Sequence, residues 1–244
     1  MKTISIKSSI ILIGLSMLFT ACFNFTTIIP SSSVTTQEHS ISNYSGVEVS
    51  YAFNVDVQFS ATEERIEVEV NENLHPYVEV EKVNNNLRIK FKNGFHVKGN
   101  PTLKVHIITN KYVDYYAASG ASRIVLSDSL FADDVTVSLS GASFFAGTIS
   151  SNTLSTFIEG ASKATLSGKT NSLRATISGA SLLKNYDMET EHANLDLSGA
   201  SQANLTVNSS IDLSASGASV LKYQGGASID HLNLSGASQI IKMD

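Results

Sequence analysis

The sequence of 244 residues contains no tryptophan and a single cysteine, Cys22, and charged residues make up only 16% of it. The single cysteine excludes a disulfide bond within the chain. The absence of tryptophan removes one common aromatic platform for stacking a sugar or a base. The net charge of -5 gives no electrostatic support for binding nucleic acid, so no nucleic-acid partner is expected.

The first residues have the pattern of an export signal. Two lysines precede an apolar run at residues 10–19, and the small residue Ala21 follows that run. This order predicts a signal peptide over residues 1–21. A transmembrane helix is the alternative interpretation, but the run is too short to span a bilayer.

Cys22 stands directly after Ala21, so this segment resembles a bacterial lipobox. The resemblance implies cleavage before Cys22 and attachment of lipid to its thiol and its new amino group, which would make the membrane a partner. A leftover cysteine in an ordinary signal peptide is the alternative. Residue 23 is not the aspartate associated with inner-membrane retention in some bacteria, so we expect the protein at the outer membrane. The sequence does not distinguish the periplasmic face of that membrane from the cell surface. Residues 22–40 are predicted to be a flexible polar tether before a folded domain at 41–244.

One tetrapeptide, Ser-Gly-Ala-Ser, recurs through the second half of the chain. Its first serine is replaced once, by Glu159, but the Gly-Ala-Ser part is constant. Successive glycines are separated by 21, 19, 19, 20, 18 and 19 residues, and a period near twenty is typical of a solenoid. We predict that these glycines form the corners of the repeats: Gly120, Gly141, Gly160, Gly179, Gly199, Gly217 and Gly236.

Apolar residues alternate with polar ones before each of these glycines, and this period of two predicts strands with one buried face. Stacked repeats can share a core that a single repeat of about twenty residues cannot bury. We therefore expect an all-β fold, a single-stranded parallel β-helix of right-handed sense with about 19–20 residues per repeat. Each repeat is predicted as a strand, a Gly-Ala corner, a short strand and a turn, with the alanine pointing inward.

Residues 41–112 lack the tetrapeptide but alternate strongly between apolar and polar positions. They are predicted to be an all-β N-terminal part, either irregular first rungs or a small sheet, that caps the solenoid before the repeats of 113–244. Caps are expected because an exposed terminal rung is an aggregation-prone edge.

No group of residues in the sequence has the spacing of a catalytic or metal site. The acidic pair Asp133-Asp134 and the acidic group Asp187, Glu189 and Glu191 are predicted to lie in polar turns, with a calcium site at the second group as the weaker alternative. No catalytic residue, metal or cofactor is therefore expected.

Several motifs together resemble the bacterial "putative auto-transporter adhesin, head GIN domain" family. The resemblance is carried by the recurring tetrapeptide, by Gly46-Val47-Glu48-Val49, by the segment 72–77 and by Ala118–Ser122, and it covers about residues 41–244. It implies a β-helical protein of the cell envelope, secreted or lipid-anchored and common in Bacteroidetes. It carries no binding residues that can be assigned here.

Two functions from different classes are consistent with these patterns. The first is a non-enzymatic envelope lipoprotein, an adhesin or scaffold whose flat β faces bind a glycan or a protein. The second is a β-helical enzyme, a lyase or hydrolase that acts on polysaccharides and would need clustered carboxylates on one face. The ligand, the ligand-binding residues and the oligomeric state are not determined by the sequence.

The lipobox interpretation predicts the behaviour of a Cys22→Ala variant. Without the thiol, the protein should incorporate no labelled fatty acid and should no longer fractionate with membranes, because the acyl chains supply the anchoring energy. Metabolic labelling and membrane fractionation measure both properties, with the unaltered protein as the control. Unchanged membrane association of the variant would contradict lipidation at Cys22.

Overall fold

The computed structural model of the protein describes residues 26–243. Within them, parallel strands stack into a β-solenoid of about seven turns. Nine strands and one short 3-10 helix precede the repeats: β1 (Thr26–Ile28), β2 (Val34–His39), β3 (Gly46–Val49), β4 (Asn54–Phe59), β5 (Arg65–Asn71), the helix Glu72–Tyr77, β6 (Val78–Val83), β7 (Asn86–Phe91), β8 (Phe95–Val97) and β9 (Leu103–Thr109). Ten strands form the repeats: β10 (Tyr115–Ala118), β11 (Arg123–Leu126), β12 (Leu130–Leu139), β13 (Phe144–Ile158), β14 (Lys163–Ile177), β15 (Leu182–Leu197), β16 (Gln202–Ala215), β17 (Val220–Gln224), β18 (Ser228–Leu234) and β19 (Gln239–Lys242).

Each turn of the solenoid, here called a rung, pairs in parallel with the rungs on either side. Strand β14, for example, pairs with β13 from Lys163 to Ile177 and with β15 on its other edge. Because the register matches repeat to repeat, equivalent residues form buried columns. The column two residues before the corner glycines is buried throughout the middle rungs: Leu139, Ile158, Ile177, Leu197 and Ala215. Burying a leucine or isoleucine contributes about 1.5–3 kcal/mol, so these columns are the main source of stability.

The corners explain why glycine recurs. The seven corner glycines have φ between +60° and +77°, a region that favours glycine. The backbone N–H of Ala180 donates to the Gly160 carbonyl oxygen at 2.7 Å, and Ala200 donates to Gly179 at 2.8 Å. That acceptor oxygen occupies the space a side chain would need in the next rung, since a Cβ on Gly199 would lie 2.7 Å from the Gly179 oxygen. Glycine therefore satisfies both a backbone angle and a close approach.

The prediction that the motif alanine points inward is wrong. Ala161, Ala180 and Ala200 are exposed, and the serine that follows each alanine is buried instead. Ser162 and Ser181 are 1% and 2% exposed, and the Ser162 backbone N–H donates to the Ser181 hydroxyl at 3.3 Å. At the corner, glycine and alanine both face outward, and the serine that follows them faces inward. The buried serine hydroxyls form hydrogen bonds with backbone groups that the turn leaves unpaired.

The turn predicted after each short strand is also absent from the middle rungs. Strands β13 to β16 run for 14 to 16 residues, from just after one corner to just before the next. The chain changes direction inside these strands, with register shifts such as that between Thr165 and Ser167 against β15. Bulges of this kind bend a strand without a turn.

The N-terminal part continues the stack and then closes it. Strands β3 and β4 pair in parallel with β10 and β11, and β7 and β9 pair in parallel with β3 and β4. Antiparallel strands complete this end: β6 lies on β7, β5 lies on β9, and β2 lies on β5. The edge strands β2 and β6 carry charged residues, a common protection against unwanted edge pairing.

The expectation of a flexible tether over residues 22–40 is wrong for most of that range. Strand β2 pairs antiparallel with β5, and β1 pairs in parallel with β8. The Asn73 side chain fixes the intervening segment, because its Nδ2 donates to the Ile29 carbonyl at 2.8 Å and its Oδ1 accepts from the Ser31 N–H. The polar composition reflects an exposed edge strand. Residues 1–25, with the signal peptide and Cys22, lie outside the described residues.

The stacked corner predicts a sharp difference between two neighbouring residues. Gly179→Ala should destabilise the fold by about 2 kcal/mol or more, because alanine is strained at φ +73° and its Cβ would overlap the Gly160 oxygen. Ala180→Leu should change stability by less than about 0.5 kcal/mol, since Ala180 is exposed. Chemical denaturation of both variants in the Cys22→Ala background measures the difference. Equal losses at the two positions would contradict the stacked corner.

Candidate functional site

The rung formed by β3 and β4 carries a groove on each of its two outer faces. The first face is the outer surface of β7, β3, β10 and the second half of β12, and its groove has a volume of about 420 Å³. The second face is the outer surface of β5, β9, β4 and β11, with Thr36 of β2, and its groove has a volume of about 390 Å³. Both grooves lie where the repeats join the N-terminal rungs, and the outward residues of the strands form their floors.

Charged side chains are fixed in the first groove by one another. The Arg88 Nε donates to the Glu48 Oε2 at 2.9 Å, and the Asn86 Nδ2 donates to the Glu48 Oε1 at 2.6 Å. Beside this pair, Lys90 lies 3.1 Å from Glu79. The ion pairs are partly exposed and contribute little to stability, but they hold the guanidinium and ammonium groups in defined places along the groove.

Tyr115 provides a half-buried aromatic ring in the same groove. Its strand pairs with β3 so that Tyr115 lies opposite Gly46, and a Cβ on Gly46 would lie 2.9 Å from the ring. Glycine at position 46 therefore lets the ring lie against the backbone. Burial raises the pKa of Tyr115, and the nearby Glu48 carboxylate raises it further. The phenol consequently stays neutral and can donate or accept a hydrogen bond.

The rest of the first groove is lined by small residues of the first repeats. Ala117, Ser119, Ser138 and Ser140 lie along it, so hydroxyl groups and a flat floor extend from Tyr115 toward the solenoid. Ring, hydroxyls and fixed charges together form an open polar surface.

At the second groove, Asp56 and His106 line the surface, and the nearby Ser127 adds a hydroxyl to this pair. The Ser127 hydroxyl donates to Asp56 Oδ1, and the His106 Nδ1 lies 3.1 Å from Asp56 Oδ2. A nucleophilic serine needs the imidazole between itself and the carboxylate, so that the ring can take its proton. Here the carboxylate stands in the middle, and the arrangement does not activate Ser127.

The acidic residues singled out in the sequence lie in strands rather than in turns. Asp133 and Asp134 are exposed within β12, and Asp187, Glu189 and Glu191 lie along β15. The prediction of turns is wrong at both places because the long strands continue through them. Hydrogen bonds from Ser209 and Asn208 to Glu191 lower the pKa of its carboxyl. Among residues 26–243, no group of three or more potential ligands is placed to hold a metal.

Sequence reasoning missed the charged pairs of both grooves. Alternation with Val47, Val49, Val55 and Val57 does place Glu48 and Asp56 on outer faces. Their partners Arg88 and His106 come from a rung that is 40 or more residues away in sequence, and no local pattern shows that pairing. In the part of the chain that the structure describes, no helix has the length and hydropathy needed to cross a bilayer.

Several solved structures share this architecture. A putative adhesin from Bacteroides fragilis is similar at a TM-score of 0.80 and 15% identity, covering 88% of this chain and all of that one. A putative lipid binding protein from Parabacteroides distasonis is similar at a TM-score of 0.73 and 16% identity, and the match covers 90% of this chain and all of that one. A putative adhesin from Parabacteroides merdae is similar at a TM-score of 0.67 and 15% identity, and the match covers 90% of this chain and all of that one. At such identities these similarities show the fold.

No protein with a curated function matches the sequence. The family model described as "Putative auto-transporter adhesin, head GIN domain" matches residues 43–227, which include the N-terminal rungs, both grooves and six of the seven corner glycines. The chain belongs to this head GIN domain family.

Proposed function

We propose that this protein is an exported, non-enzymatic binding protein of the cell envelope, anchored to the outer membrane through lipid on Cys22. Its ligand is a polysaccharide, bound along the first-face groove. The observation that carries this proposal is the combination of the Tyr115 ring with the fixed Glu48–Arg88 pair and a row of serine hydroxyls on one open surface. Membership of an adhesin family and an N-terminal export signal support the location.

The chemistry of the groove suits a glycan better than an apolar ligand. A sugar ring presents an apolar face that packs on an aromatic ring, while its hydroxyls need donors and acceptors at the edges. Tyr115 supplies the ring, and Arg88, Glu48 and Ser138 supply both kinds of hydrogen-bonding group. Since the strands fix these groups, little conformational entropy is lost when a ligand binds.

An open groove also fits a long polymer. The floor continues from Ser119 to Ser138 and Ser140, so a chain of sugars lies across β3, β10 and β12 at about 4.8 Å spacing and ends before β14. Such a site binds internal segments of a polysaccharide and does not require a chain end.

Binding should depend on the guanidinium of Arg88. Arg88→Gln should weaken binding to the polysaccharide recognised on a glycan array at least about tenfold, because charge-assisted hydrogen bonds contribute roughly 1.5–3 kcal/mol each. The loss should appear as a raised dissociation constant with an unchanged unfolding temperature. Surface plasmon resonance with the immobilised polysaccharide measures the dissociation constant, and calorimetry measures the unfolding temperature.

Arg174→Gln is the matched control, since Arg174 is exposed on the outer side of the same sheet. Five strand steps separate β14 from β7, a distance of roughly 24 Å. Arg174→Gln should therefore bind like the unaltered protein. Equal effects of the two substitutions would mean that general positive charge, and not the groove, governs binding.

A further inference from the structure

We propose that an aromatic cleft at the corner of the N-terminal rungs is the surface by which the domain contacts the phospholipid bilayer. The inference rests on the lipid anchor proposed above and adds the orientation of the domain on the membrane. The cleft has a volume of about 650 Å³ and shares no lining residue with either groove.

The interior of this cleft is apolar and its charged residues are basic. Tyr51, Phe91, Phe95 and Pro101 line it, together with Lys92 and His96, and no carboxylate is among its lining residues. The rings contact one another, with centroids 6.2 Å apart for Tyr51 and Phe91 and 5.4 Å apart for Phe91 and Phe95. In a chain of net charge -5, this is an apolar patch with a locally basic rim.

Tyr51 occupies a place where the repeats have glycine. Register places Val49 opposite Ala118 and Asn54 opposite Arg123, so Tyr51 stacks on Gly120 and Ala52 on Ala121. Tyr51 has φ +66° and its side chain is 47% exposed. A tyrosine in this left-handed conformation is strained where glycine would not be. Residues that keep such strain cluster at sites of function, and here the strain displays an aromatic ring at the mouth of the cleft.

The anchor residue is close to this cleft by covalent geometry alone. Strand β1 pairs in parallel with β8, and Thr26 lies opposite Phe95. Cys22 precedes Thr26 by four residues, which span at most about 14 Å. Acyl chains on Cys22 therefore enter the bilayer within about 14 Å of Thr26, which lies one strand spacing of about 4.8 Å from Phe95 of the cleft, so no long spacer separates the lipid from the domain.

The composition of the cleft matches the interfacial region of a membrane. Tyrosine is enriched at the level of the lipid headgroups, where its ring is in an apolar layer and its hydroxyl is in a polar one. Lysines pack their alkyl stems on apolar surface and extend the ammonium to phosphate groups. Ile29, directly after β1, is 71% exposed and adds apolar surface near the same end.

Quenching by lipids tests this orientation. The lipidated protein is placed in vesicles of phosphatidylcholine and phosphatidylglycerol that contain spin-labelled quencher lipids. A fluorophore is attached to a single new cysteine, in Asn93→Cys at the cleft or in Ser235→Cys at the last corner. Since lipid occupies the Cys22 thiol, only the introduced cysteine reacts. Fluorescence at position 93 should fall at least twofold, and fluorescence at position 235 should not change.

A second variant checks that the cleft is the cause. Tyr51→Gly restores the residue type of the other corners, so the fold should be retained while the interfacial ring is lost, and quenching at position 93 should decrease. Incorporation of labelled fatty acid is measured on every sample. Lipidated protein without quenching at position 93 overturns the proposed orientation and leaves the proposed anchor intact. Absence of the fatty acid overturns the anchor and the orientation with it.

Discussion

The carbonyl oxygen of each corner glycine from Gly141 to Gly217 is the point at which successive rungs meet, and the rest of the repeat architecture depends on it. The oxygen accepts the N–H of the next rung's alanine, as between Gly141 and Ala161 at 2.7 Å. It also fills the space of a Cβ on the next rung's glycine. Because the two requirements fall on the same atom, every rung must turn at the same place, and the columns of leucine and isoleucine remain aligned.

The rungs in which this constraint is relaxed are the rungs that carry the aromatic cleft and the two outer grooves. In the rung of β3 and β4, the corner is Tyr51-Ala52 and the buried serine column is filled by Phe53, which is fully buried. In the next rung outward, residues 92–102 replace the tight corner and include β8. These departures open the aromatic cleft, while the straight parts of the same two rungs carry the two outer grooves. The repeats provide a rigid support, and the irregular rungs provide the surface chemistry.

The solenoid was predictable from the sequence, but its corner was predicted only in part. Period-two alternation and the spacing of the glycines indicated parallel stacked strands, since both depend on local geometry. The prediction that the Ala180 side chain points inward was wrong because alternation cannot be extrapolated across a turn with positive φ. Gly179 and Ala180 both face outward there, and Ser181 then faces inward. Strand β2 was predicted to be a tether because an exposed edge strand has a polar composition.

The charged pairs in the grooves were beyond sequence reasoning for a topological reason. The order of the N-terminal strands in the stack is not their order in the chain, since β5 to β9 extend outward beyond β3 and β4. Glu48 therefore meets Arg88, and Asp56 meets His106, through pairings that no period shows. Amphipathic alternation identifies which residues face outward, but only the fold identifies which of them are neighbours.

Hydrogen–deuterium exchange at the corners tests the central structural claim most directly. The backbone amides of Ala161, Ala180, Ala200 and Ala218 each donate to a corner carbonyl, although their side chains are exposed. The Ala121 amide, in the first of the Gly-Ala corners, makes no such bond. The four amides should exchange as slowly as those of the central strands, and Ala121 should exchange quickly. Exchange of all five at one fast rate would contradict a solenoid whose rungs are joined at the glycine corner.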